Sequence, residues 1–178
     1  MNIPIPKLKA IILYFGTHTN NKFLGKVKLM KLFYFLDFMH VKKYGTPVTY
    51  DKYIHLEHGP IPSAIKNLVD SASDDIESAI LADIISFETP IGTNMQKVIP
   101  ARGFTEKDRN YFSHTELEIL ELVCSRFGEQ NTKYIEDASH KEAPWRETRF
   151  MEAIPYTLAT KDNDCFVNEE EIALSIKI

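Results

Sequence analysis

The sequence predicts a mainly α-helical fold with a small β element, an α+β domain in which one central buried helix is surrounded by helices and joined by a short antiparallel hairpin or sheet. Three observations predict it. Residues 28–44, KLMKLFYFLDFMHVKKY, carry Leu29, Met30, Leu32, Phe33, Tyr34, Phe35, Leu36, Phe38 and Met39 on all sides of a helix, the pattern of an element buried on most sides. Apolar residues also recur at helical spacing early in the chain (Leu8, Ile11, Ile12, Phe15) and in its second half (Leu117, Leu120, Val123, Cys124, Phe127). Residues 84–88 and 95–100 are β-type runs separated by a turn with Pro90 and Gly92.

The elements follow in order. Pro6 suits the first position of a helix over 7–19, because the amide it lacks has no partner there. Residues 17–21 are a polar break, and Gly25 precedes the central helix. A strand over 32–36 alone would need the β-branched residues that this run lacks. Lys42 and Lys43 favour the negative end of the helix, and Gly45 and Pro47 stop it. Lys26 and Lys28 are unfavourable at its positive start, so tertiary packing, an acidic partner or plain solvation must offset them, with solvation the simplest expectation. In residues 50–58, Tyr53, His55 and Glu57 alternate with Ile54, Leu56 and His58, as in a short strand. Gly59-Pro60-Ile61-Pro62 is expected to interrupt it as a rigid turn, with Pro62 opening a helix through Ile65, Leu68 and Val69. Residues 74–82 stay open between helix and loop, with a capping box from Asp74 to Glu77 as the helical signal. Residues 102–109 form a charged connector. Ser113 and Glu116 make a capping box for a helix ended by Gly128, Thr132 caps a shorter one carrying Ile135 and Ala138, and Asn168 caps a terminal helix led by three glutamates.

A length of 178 residues suits a single domain, 1–178, that needs no disulfide, metal or cofactor to hold a core. Cys124 and Cys165 lie far apart, which fits a reducing compartment. The apolar stretch at 11–15 is too short for a signal-peptide core, and no run approaches the ~18–20 apolar residues that span a bilayer, so a soluble cytoplasmic protein is expected. A net charge of −4 offers no global attraction to nucleic acid.

The chemical signals are sparse. His55-Leu56-Glu57-His58 is the densest set of metal-ligand types, but on a strand His55 and Glu57 face one way and His58 the other; His40, His114 or His140 would have to complete a site. Neither cysteine has a nucleophile's local signature, Ser139 and His140 are only sequence neighbours, and no glycine-rich phosphate loop exists. No catalytic or metal residue is therefore assigned. Lys26, Lys28 and Lys31 with Tyr34 offer a basic-aromatic face for nucleic acid, although the helix is too apolar to lie in a groove. Trp145, the lone tryptophan, either covers the core or joins Tyr34, Tyr53 and His58 as a partly exposed anchor for a protein partner.

Three stretches carry a family resemblance in their order and spacing: KLMKLFYFLDFMH, then HLEHGPIPSAIKNL, then FSHTELEILELVCSRFG followed by IEDASHKEAPWRET. Together they resemble the Panacea domain, the SocA-like antitoxin domain formerly grouped with phage-associated GepA-type proteins, most strongly over residues 8–151. The matching positions are Lys28, Leu29, Lys31, Leu32 and Tyr34, the turn Gly59 and Pro60, and Ser139, His140, Pro144 and Trp145. The resemblance implies a mainly helical fold and a non-enzymatic role: binding and neutralising a cognate toxin protein, and in SocA-like members delivering it to a cytosolic protease. It leaves residues 156–178 as a C-terminal extension or closing helix. The expected partner-binding residues are Lys28, Lys31, Tyr34, Tyr53, His58, Gly59, Pro60, His140 and Trp145. The alternatives are a hydrolase or nuclease using the histidines and carboxylates of 55–58, and a DNA-binding autoregulator.

Overall fold

A helix that is apolar on every side needs neighbours on every side, and α2 (Lys26–Tyr44) has them. The computed structural model describes residues 3–74 and 79–177. Around α2 pack α1 (Ile5–His18), α3 (Ser63–Asp74), α5 (His114–Phe127) and α6 (Thr132–His140). Leu29, Leu32, Phe33, Tyr34, Phe35, Leu36 and Phe38 are fully enclosed. The mainly α expectation with a central buried helix therefore holds. Pro6 sits in the first turn of α1, and Gly45 closes α2 in the left-handed region at φ 77, its N–H donating to Val41 O at 2.8 Å.

The β element consists of two small sheets. In the first, β1 (Tyr53–Leu56) lies between β2 (Gly59–Pro62) and β5 (Ala153–Ile154), antiparallel to both. Tyr53 and His55 point inward and Ile54 and Leu56 lie half-buried, the alternation read from the sequence. Gly59-Pro60-Ile61-Pro62, expected as a turn, is instead an edge strand, and the chain reverses at Glu57 and His58. Prolines are tolerated there because they need donate nothing: His55, opposite Pro60, sends its own N–H to Glu152 O, on the β5 side. The second sheet is the expected hairpin, β3 (Ile85–Glu88) with β4 (Lys97–Pro100), docked on the start of α2 by Val98 N–H to Leu24 O and Lys26 N–H to Gln96 O.

Ser113 and Glu116 cap α5 reciprocally, while α6 is capped by Asn131, one residue before the expected Thr132. The charged connector holds a single helical turn, α4 (Glu106–Arg109), fixed by the Arg102 guanidinium forked onto Asp108 at 2.6 and 2.7 Å. Asp74 ends α3; Glu77 of the expected capping box lies outside the described residues. After α7 (Ala143–Arg146) and β5, a 3₁₀ helix (Tyr156–Lys161) and α8 (Glu169–Ile176), capped by Asn168, close over α2. Tyr156, Ala159 and Ile172 are buried and Ser175 Oγ donates to Gly45 O at 2.7 Å, so the C-terminal segment is part of the packed domain. Among the described residues no helix is long and apolar enough to cross a membrane.

Candidate functional site

Lys28, expected as a solvated lysine at the start of α2, and Lys31, expected to face a partner, have no exposed surface. Lys28 Nζ donates to Gly128 O at 2.8 Å and Gln130 O at 2.6 Å, tying down the chain after α5; Lys31 Nζ donates to Pro60 O at 2.9 Å, holding β2 against α2. Burial brings the Lys28 pKa down to about 8 and that of Lys31 to about 7. Lys26, the third member of the expected basic face, is drawn to Asp70 at 3.2 Å. Tyr34 and Tyr53, expected as partly exposed anchors, are core residues. Tyr34 Oη points to Glu142 Oε2 at 3.3 Å, and Tyr53 Oη donates to Asp37 Oδ2 at 2.8 Å and Phe33 O at 2.9 Å. A helix surrounded on all sides buries its polar residues with its apolar ones, provided each finds a partner.

Gly59, Pro60, His140 and Trp145 lie close together. Gly59 has φ 98, a backbone that side chains resist, and a Cβ there would lie 2.8 Å from Ser139 Oγ, 2.9 Å from Lys31 Nζ and 3.1 Å from His140 Nε2. The missing side chain lets α2, β2 and α6 bring these three polar atoms over one point. Trp145 stacks on both His140 (ring centroids 4.0 Å) and His55 (4.5 Å). His140 Nε2 and Trp145 Nε1 are buried without a hydrogen-bond partner among the described residues. Burial lowers the pKa of both histidines, and neighbouring Lys31 adds to the effect. His55 Nδ1 lies 3.0 Å from Thr148 Oγ1. His58 turns to solvent with its Nδ1 3.5 Å from Glu136 Oε1, whereas His140 turns inward onto Trp145. Among the described residues no group of three His, Cys, Asp or Glu is placed to hold a metal ion.

Two features escaped the sequence reading. The first is the tight turn 149–152, in which Glu152 N–H donates to Arg149 O, Arg149 N–H to Glu152 Oε2 and Met151 N–H to His55 O at 2.8 Å. Phe150 and Met151 are each 64% exposed, and Met151 has φ 68. Adjacent large apolar residues were visible in the sequence; the left-handed backbone was not. The second is a set of buried ionic pins on α2. Asp37 accepts from Val48 N–H, Thr49 N–H, Thr49 Oγ1, Tyr53 Oη and Tyr156 Oη, while burial outweighs these bonds and raises its pKa to about 6. Lys42 is met by Glu142 and Asp162 at 3.0 Å and Asp164 at 2.9 Å; burial opposes its charge, but the three carboxylates prevail and raise its pKa.

These features define a helical scaffold whose buried polar groups fasten β2, β1 and the C-terminal segment to one helix, and whose sheet carries an exposed aromatic turn. The family model described as antitoxin SocA-like, Panacea domain, matches residues 29–146, and the chain belongs to that family. The match takes in Lys31, Gly59, Pro60, His140 and Trp145, while the 149–152 turn, β5 and α8 lie beyond it. No curated protein and no solved structure shows significant similarity to the chain.

Proposed function

We propose that this antitoxin-family protein neutralises a cognate toxin protein by binding it directly through the surface formed by His58, the open edge of Trp145, Phe150 and Met151. The observation that carries the placement is Met151. A non-glycine residue in the left-handed region costs on the order of 1–3 kcal/mol and persists where its surroundings impose it. Here the imposed geometry holds Phe150 and Met151 outward, and exposed aromatic and methionine side chains are favoured at protein interfaces. In this reading Lys31, Gly59, Pro60 and His140 act from inside, holding the platform on which Trp145 rests. Lys28, Tyr34 and Tyr53 fix α2 to its surroundings and touch no partner. An interface of ordinary size, about 1,200–2,000 Å² in total, extends well beyond these four residues.

Co-expression with the product of the neighbouring reading frame tests the proposal, scoring growth and co-purification. Rescue with a stable complex supports neutralisation by binding. Rescue with disappearance of the neighbour's product supports delivery to a cytosolic protease, and with it a cytoplasmic setting. A neighbour that is harmless alone and fails to co-purify removes the antitoxin reading. A Phe150→Asp variant that rescues and co-purifies like wild type removes the assigned surface.

A further inference from the structure

Between the first turn of α2 and the middle of α3 the surface opens into a cavity of about 460 Å³, within the size range of clefts that accept ligands or anchoring side chains. Buried Met30, Ile61 and Val69 contribute its apolar lining, and Val27, 40% exposed, continues it onto the surface. The loop that supplies Met95 to the opening also carries Ile91, which is fully exposed. Val27 and Ile91 thus put exposed apolar side chains at the cavity's edge and on the loop that borders it.

The charge around the opening selects the occupant. Among the described residues its charged lining consists of Lys26, Lys66 and Asp70, and Asp70 is shared between both ammonium groups, at 3.2 Å from Lys26 and 2.5 Å from Lys66. Among the described lining residues two cations stand against one anion, a local excess of positive charge on a chain whose net charge is −4. Because Asp70 must serve both lysines, a further carboxylate arriving from outside meets incompletely neutralised charge. We propose that this groove binds an amphipathic helical segment of a partner protein, its apolar face on Met30, Ile61 and Val69 and its acidic flank beside Lys26 and Lys66. This is helix-in-groove recognition with an electrostatic filter, on a surface distinct from the Phe150–Met151 turn.

The test uses the whole isotope-labelled chain and three probes: a synthetic amphipathic helix with leucines at i, i+3, i+4 and i+7 and glutamates elsewhere, the same peptide with lysines replacing glutamates, and decanoate. The acidic peptide is expected to shift the amide resonances of Val27, Lys66 and Met95. Its binding should weaken tenfold or more in Lys66→Glu and in Val27→Asp, both partly exposed positions whose folding circular dichroism verifies, and should weaken with added salt. Phe150→Asp should leave it unchanged, which separates this inference from the toxin reading. Equal binding of the acidic and basic peptides, shifts elsewhere on the molecule, binding of decanoate alone, or no binding at all would each overturn the proposal.

Discussion

Lys31→Met tests the most consequential buried charge, the ammonium that holds the Gly-Pro strand to α2. Burial is the main cause of its depressed pKa, about 7 in the fold, and Glu136 offsets this only in part. The unfolded chain holds the same proton until ~10.4. Between those values the unfolded state binds more protons than the folded one, so stability rises with pH. With these two values, linkage gives a gain of about 1 kcal/mol between pH 7 and pH 8, and only a few tenths between pH 6 and pH 7. Lys28 works in the same direction around its value of about 8, but its contribution below pH 8 is smaller and remains in the variant. Methionine keeps the apolar stem and removes the titration. It leaves Pro60 O without the Lys31 donor, at a cost of ~1–3 kcal/mol. Against that loss stands relief of the charge's burial, so at pH 7 the variant should be about as stable as wild type or more so. Urea denaturation at pH 6, 7 and 8 reads both effects: from pH 7 to pH 8 wild type should gain about 1 kcal/mol from Lys31 plus a few tenths from Lys28, and the variant only the few tenths that Lys28 supplies. Parallel profiles would refute the near-neutral buried lysine. A loss above ~3 kcal/mol at pH 7 would show that the bond to Pro60 outweighs the burial of the charge.

Gly59→Ala should lose at least ~1–2 kcal/mol from its left-handed backbone alone, with crowding of Lys31, Ser139 and His140 added. At ~2–4 °C per kcal/mol for a chain of this size, the melting temperature should drop by several degrees, and an unchanged value would contradict the close approach. Met151→Gly removes an unfavourable φ, so stability should stay within ~1 kcal/mol of wild type while capture of the toxin weakens; wild-type capture would show that the Met151 side chain makes no contact. A chain ending at Met151 loses Tyr156 from Asp37 and both Asp162 and Asp164 from Lys42, and should lose its cooperative thermal transition. Retention of that transition at the wild-type temperature would make the C-terminal segment dispensable.

The central helix was legible because all-round apolarity has one structural meaning, and the hairpin and capping boxes because turn and cap chemistry act over a few residues. The same all-round apolarity held an unused signal. A helix with no solvent face must bury Lys28, Lys31 and Asp37 along with its leucines, so these residues were destined for internal partners. Tyr34 follows the same logic, its hydroxyl serving Glu142, while Tyr53 takes an inward position of β1 and serves Asp37. The Gly59–Pro62 strand was misread because two prolines locally resemble a turn; only the sheet order shows that this edge needs no donor from them. Gly59, Pro60, His140 and Trp145 were singled out by residue type without any sign that they are neighbours in space, and the turn that completes the proposed surface depends on a backbone angle at Met151 that composition does not encode.

The pins on α2 explain how a surface turn can be held in a costly conformation. Lys31 fastens β2, Asp37 fastens β1, the 46–51 loop and Tyr156, and Lys42 fastens the start of α7 and the segment after the 3₁₀ helix. Buried charged groups add little net stability, yet taking Lys42 from its carboxylates is costly, so such pins restrict the number of arrangements the chain can adopt. A surface fixed in advance loses less entropy when a partner docks. Two classes of variant should therefore separate. Substitution of a pin weakens partner binding only to the extent that it destabilises or loosens the fold, so its binding loss falls with its melting temperature. Substitution at Phe150 or Met151 weakens binding with little change in melting temperature. If pin variants lost binding while their melting temperatures and hydrogen-exchange protection stayed at wild-type levels, the pinned residues would have to contact the partner directly, and the present enclosure of Lys31 and Tyr34 would have to open on binding.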